Sequence, residues 1–185
     1  RLIVSPDGAL HQVPFDLLEA NDGKRLLESH VVTYVPSGEV LAAIRRNKAA
    51  PAARPVLALG ASFSNGLSLS AVSGLARDAF DLDPTKLRPL PSVDDEARSV
   101  GALLGAEQSA VLTDTAATED ALKRQPLVEY QVLHLAAHGL PSTRFPARAA
   151  VLLGPGAAED GVLQAREILL FRLNATLVTL SACDT

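Results

Sequence analysis

Two residues of this 185-residue chain have the types and setting to do covalent chemistry, His138 and Cys183. Cys183 is the only cysteine, and it follows the apolar run Leu177-Val178-Thr179-Leu180 through the small residues Ser181 and Ala182. A lone cysteine is by default a small buried hydrophobe. The stretch 131–139, Gln-Val-Leu-His-Leu-Ala-Ala-His-Gly, changes that reading, because it is a second apolar strand ending in His138 and Gly139. Adjacent strands lie ~4.8 Å apart, so two neighbouring parallel strands would bring imidazole and thiol together over one sheet edge. A thiol with a pKa of about 8.5 is mostly protonated at neutral pH, and an imidazole beside it takes the proton as sulfur attacks. The same imidazole can then protonate a leaving amine. Gly139 has no side chain to obstruct its N–H, which with the N–H of Cys183 can hold an oxyanion, worth roughly 3–4 kcal/mol per donor.

Such a pair needs a sheet whose strands are buried on both faces, because ligands bind beyond the carboxyl ends of parallel strands. From residue 55 onward strands and helices alternate. Residues 55–60 form a buried strand closed by Gly60. Ser92 caps a helix with acids in its first turn and Val93, Ala97, Val100 and Leu104 at helical spacing up to Gly105. A short strand follows over 110–112, and Thr118 caps a helix over 119–124. Residues 131–139 read as one strand and 149–153 as a short one. Residues 163–170 read as a helix, and the last strand begins at Ala175. This order predicts a mostly parallel sheet flanked by helices. Residues 61–90 show only weak periodicity.

Ahead of this core, residues 1–46 read as a small module. Leu2-Ile3-Val4, the turn Ser5-Pro6-Asp7-Gly8 and the return over 9–13 suggest a β-hairpin. A short helix capped by Asp16, a strand over 30–35 and a helix over 39–46 capped by Ser37 follow. Residues 47–54, rich in Ala, Lys and Pro, read as a linker, which leaves 55–185 as the core.

Composition excludes several classes. A net charge of −4 with 4% aromatic residues offers neither a basic patch nor a stacking platform for nucleic acid. No apolar run approaches the ~18–20 residues of a membrane-spanning helix. A single cysteine suits a reducing, cytoplasmic setting. His134 and His138 have H-x-x-x-H spacing, but strand-like flanks and the lack of a third ligand argue against zinc. No phosphate loop or other cofactor motif occurs, so neither metal nor cofactor is expected. His134 reads as a buried histidine with a satisfied hydrogen bond, and Ser181 as a poorer nucleophile than the thiol. Asp184 can face a basic substrate residue or simply be a solvated turn residue.

The pattern His138-Gly139 after an apolar strand, then Leu-Ser-Ala-Cys-Asp-Thr at 180–185, resembles the CHAT domain, a caspase-like peptidase family related to separases. Ser5-Pro6-Asp7-Gly8-Ala9-Leu10 with Pro14-Phe15, Val35-Pro36-Ser37, and Asp160-Gly161 before Leu163 extend the likeness over most of the chain. Caspases place their histidine about 50 residues before the cysteine; here the separation is 45, without the caspase signature around the cysteine. The resemblance implies a caspase-like α/β fold, with His138 as general acid–base and Cys183 as nucleophile in peptide-bond hydrolysis. It implies a protein substrate, with Asp184 in its pocket by likeness to arginine-preferring relatives. Tetratricopeptide repeats often precede such domains, so a helical-repeat region or sensor is an expected partner. The absence of methionine suggests a piece of a longer protein. Such domains continue beyond the cysteine, so their C-terminal part is expected as a separate chain or a missing segment. Thirteen arginines against four lysines hint at a high-GC bacterial source. Two other functions stay open: a caspase-like scaffold without activity that serves as an interaction module, and an α/β acyl-transfer enzyme acting on a small molecule.

Overall fold

The computed structural model describes residues 1–46, 51–63, 79–81, 83 and 86–182, with only the backbone of residue 106. It divides into two compact units, Arg1–Ala50 and Pro51–Thr185.

In the first unit, β1 (Leu2–Val4) pairs in parallel with β2 (Val32–Tyr34), in the register Leu2↔Val32, Ile3↔Thr33 and Val4↔Tyr34. The expected hairpin is therefore corrected. Asp7 accepts a hydrogen bond from the Gly8 N–H at 2.8 Å, and Gly8 takes φ +54°. This local capture turns residues 8–12 into a 3-10 helix instead of a return strand. Leu2-Ile3-Val4 then finds its partner in the second β-branched run. Residues 15–17 form a 3-10 turn where a short helix was expected. Helix α1 spans Leu26–Ser29 and α2 spans Gly38–Arg46. The expected cap of α2 is present: Ser37 Oγ accepts from the Val40 N–H at 3.1 Å.

The second unit is built on a parallel sheet of β3 (Arg54–Gly60), β4 (Ala110–Thr113), β5 (Tyr130–Ala136) and β9 (Leu177–Ser181), in the order β4-β3-β5-β9. The run Val56-Leu57-Ala58-Leu59 is fully buried, because both faces of β3 are covered. On one face Val56 and Ala58 pack against Ala97 of α3 (Val93–Gly105). A Cβ on Gly60 would come 2.5 Å from the Val93 carbonyl oxygen, so glycine there lets α3 start against the strand end. On the other face Leu57, Leu59, Leu133 and Leu135 join Leu122 of α4 (Glu119–Lys123) and Leu163 in the main core. Two continuous covers explain why these strands read as unbroken apolar runs.

The run 131–139 is not one strand. β5 stops at Ala136, and after Ala137 the chain enters β6 (His138–Leu140), which belongs to a separate antiparallel sheet ordered β6-β7-β8. The small Ala136-Ala137 pair sits at this change of sheet. His138 thus opens a strand rather than closing one, a correction to the sequence reading. β7 is Ala150–Leu152 and β8 is Val162–Gln164. The helix expected over 163–170 is delayed for a related reason. Val162 and Leu163 are buried in pairing with β7, and a capping box between Gln164 and Glu167 starts the short α5 (Ala165–Ile168) only afterwards. Among the described residues no helix is long and apolar enough to cross a membrane.

Candidate active site

β5 and β9 are neighbours and run parallel, with Leu135 opposite Leu180 and Ala136 opposite Ser181. The Ala137 N–H still donates to the Ser181 carbonyl at 3.2 Å. His138 comes next on one side, and Ala182 on the other. A Cβ built at Gly139 would stand 3.3 Å from the Cβ of Ala182, so the two chains remain side by side one residue beyond the sheet. Cys183 and Asp184 lie outside the described residues. Of the expected site, the structure therefore places His138 and Gly139 together at the β5–β9 edge.

The histidine has a defined protonation pattern. His138 is 1% exposed, and its Nε2 lies 2.7 Å from the Arg88 carbonyl oxygen. A carbonyl only accepts, so Nε2 carries the hydrogen, and in the neutral ring Nδ1 holds the free lone pair. Nδ1 is buried and has no hydrogen-bond partner among the described residues. The Phe63 ring lies 6.3 Å from the imidazole, centroid to centroid. Burial pushes the His138 pKa below its ordinary value against the upward pull of the Arg88 carbonyl. Burial thus favours the neutral ring, whose acceptor nitrogen meets no hydrogen-bond partner among the described residues. Sequence reading missed Arg88, because a partner that acts through its backbone oxygen leaves no signature of residue type.

His134 is different. It lies inside β5, opposite Thr179, and its Nε2 is 2.9 Å from Glu96 Oε1 on α3. It is the satisfied buried histidine that its setting suggested, and it shares no strand with His138. The one carboxylate group of metal-binding dimensions among the described residues is Glu119, Glu159 and Glu167. Its centre already holds a cation, the Lys123 ammonium, at 2.7 Å from Glu119 and Glu159 and 2.8 Å from Glu167. Glu119 Oε1 is ion-paired rather than aligned for a hydrogen bond, while its Oε2 accepts from the Gly161 N–H at 2.9 Å. Asp120 accepts from the N–H groups of Ala158 and Glu159, and its carboxylate fills the space a side chain on Gly156 would take. Together these contacts bind α4 to the β7–β8 loop.

Beside Gly139 an open groove of about 380 Å³ runs between the two sheets, lined by Gly139, Leu140, Pro141, Ala149, Ala150, Val151, Leu180 and Ala182. It touches both the residue after His138 and the residue before Cys183.

A model of the CHAT domain family matches residues 1–185. No curated protein matches the chain significantly. No solved structure does so either. The parallel sheet flanked by helices agrees with the caspase-like fold of that family. With a match over its whole length, the chain belongs to the CHAT domain family, a family related to the caspase-like cysteine peptidases.

Proposed function

We propose that this chain carries the dyad of a cysteine endopeptidase, with Cys183 as nucleophile and His138 as general acid–base. The observation that carries the reading is the register of β5 against β9. Ala136 is opposite Ser181, so His138 and Cys183 each follow two residues after the last paired position. Cys183 is bonded to Ala182, whose Cβ lies against Gly139.

In this reading the Cys183 sulfur attacks the scissile carbonyl carbon while its proton passes to His138 Nδ1. The Arg88 carbonyl, holding Nε2–H, orients the ring and stabilises the imidazolium that forms. The N–H groups of Gly139 and Cys183 receive the oxyanion. The carbon–nitrogen bond then breaks, the amine leaves with the proton from Nδ1, and a thioester remains on sulfur. Water attacks that thioester, giving one proton to Nδ1 and releasing the acid, and the proton returns to the thiolate. Proton transfer of this kind contributes typically 10²–10⁴-fold.

An electrophilic peptide probe tests the reading. Labelling of the chain that is lost in Cys183→Ala and in His138→Ala supports it, and labelling that survives either substitution removes it. A second reading, a suppressed interaction module, draws on the closure of His138 to solvent. It would be favoured by a folded chain that the probe never labels.

A further inference from the structure

We propose that the groove beside Gly139 takes an extended peptide carrying an apolar residue next to acidic ones, and that Arg144 and Arg148 select the acids. This deepens the peptidase reading by naming the substrate class.

Three observations converge. β6 ends its sheet, with β7 on one side and no strand on the other among the described residues. An edge strand accepts an extended segment by backbone pairing, and specificity then comes from pockets for alternate side chains. The groove supplies such a pocket, since Leu140, Val151 and Leu180 line it with small residues and no charged group. The loop from β6 to β7 leaves the groove at Pro141 and returns to it at Ala149. Between those points both guanidinium groups, of Arg144 and Arg148, lie 5.1 Å from the centre of the exposed Phe145 ring.

Neither arginine has an ion pair among the described residues. The carboxylate that does reach this loop, Asp81, is occupied by the N–H and hydroxyl of Thr143. Both side chains are exposed, so a ligand can reach them. Stacking on one ring restricts their freedom before any ligand arrives, which lowers the entropy lost when each forks onto a carboxylate. The groove's apolar lining and the loop's charge therefore call for different side chains of one peptide.

The test uses fluorescein-labelled hexapeptides with a central leucine flanked by glutamate, glutamine or lysine, titrated into the full chain by fluorescence anisotropy at low and high salt. The glutamate peptide should bind about tenfold more tightly than the glutamine one, and the lysine peptide most weakly, since charge-assisted bonds exceed neutral ones. The preference should shrink at high salt and reverse in the double variant Arg144→Glu, Arg148→Glu, whose exposed positions leave the core intact. Ala149→Phe, checked for folding by circular dichroism, should weaken every leucine peptide whatever its flanks. Equal affinity across the charge series, a preference unchanged in the double variant, or no binding of any peptide would overturn the proposal. Preferential binding by a chain that the electrophilic probe does not label would retain this inference and remove the peptidase reading. Labelling and cleavage without charge preference would do the reverse.

Discussion

Two of the buried polar centres described in the second unit have opposite character. At α4 the Lys123 ammonium meets three carboxylates, and Glu119, itself wholly buried, also accepts from Gly161. At the β5–β6 junction His138 is equally buried, yet one ring nitrogen is held by Arg88 and the other has no described partner. Burial of a polar atom without a partner costs free energy. The first centre offsets that cost at Glu119 Oε1 through the ion pair with Lys123, and ties together α4, the β7–β8 loop and α5. The second accepts it at the one place where the register of β5 and β9 leads to a cysteine. An ion-paired network holds a structure, whereas a ring nitrogen without a described partner keeps a lone pair that can accept a proton.

The pKa directions express the same contrast. Burial would lower the Lys123 pKa, but the three carboxylates outweigh burial and raise it. Burial raises Glu119 against the pull of Lys123, and in Glu167 the lysine overcomes burial and lowers it. At His138 burial prevails and lowers the pKa.

Replacement of the second centre should have the largest effect. His138→Ala should slow probe labelling of the folded chain by about 10²–10⁴-fold, with folding checked by circular dichroism. A variant labelled as fast as the parent would show that the orphaned nitrogen moves no proton.

Lys123→Met should act the other way, on stability. It leaves Glu119 buried without its cation, a loss of about 3–5 kcal/mol, read from chemical denaturation. The folded fraction should still label at the parental rate. If the melt is unchanged, the α4 centre does not hold the unit together; if labelling falls in the folded fraction, the two centres are not separate.

Acidification provides the third comparison. His138 has a lowered pKa, so the folded state binds its proton less readily than the unfolded chain. Its contribution to stability is present above the ordinary value of about 6.5 and is lost as pH falls below that value. The acid limb of labelling should therefore lie below pH 6.5. A limb above it that survives in His138→Ala would show that a group other than this imidazole sets the pH dependence.

The smallest effect is expected at Gly139. Gly139→Ala brings a methyl 3.3 Å from Ala182, a tight contact that the end of β9 can relieve by a small shift. Labelling should slow severalfold without loss of stability. A loss as large as that of His138→Ala would mean that Gly139 does more than leave room.

Much of this was legible in the chain itself. β3 and β5 are covered on both faces and write themselves as apolar runs, whereas β9, which reads the same way, is an edge strand among the described residues, with Leu177, Val178 and Leu180 exposed. The helix Val93–Gly105 announced itself through its acidic first turn and its apolar spacing. What the residues hid was contingent on tertiary partners. The pairing of Leu2–Val4 with a strand some 30 residues away competes with a plausible local turn, and Asp7 decides it. The change of sheet at Ala137 leaves no mark in an unbroken apolar run. Val162 and Leu163 fit a helix or a strand equally well until β7 is seen beside them. The histidine could be singled out from type and spacing, but its tautomer could not, because a main-chain oxygen at Arg88 sets it.

The central claim is that one sulfur and one imidazole meet where β5 and β9 end. Treatment of the chain with an electrophilic peptide probe, followed by intact mass and peptide mapping, tests it most directly. The account expects a single adduct, mapped to Cys183 in the parent and missing from His138→Ala at neutral pH. An adduct that forms at Cys183 equally well without the imidazole, or no adduct on a well-folded chain, would contradict it.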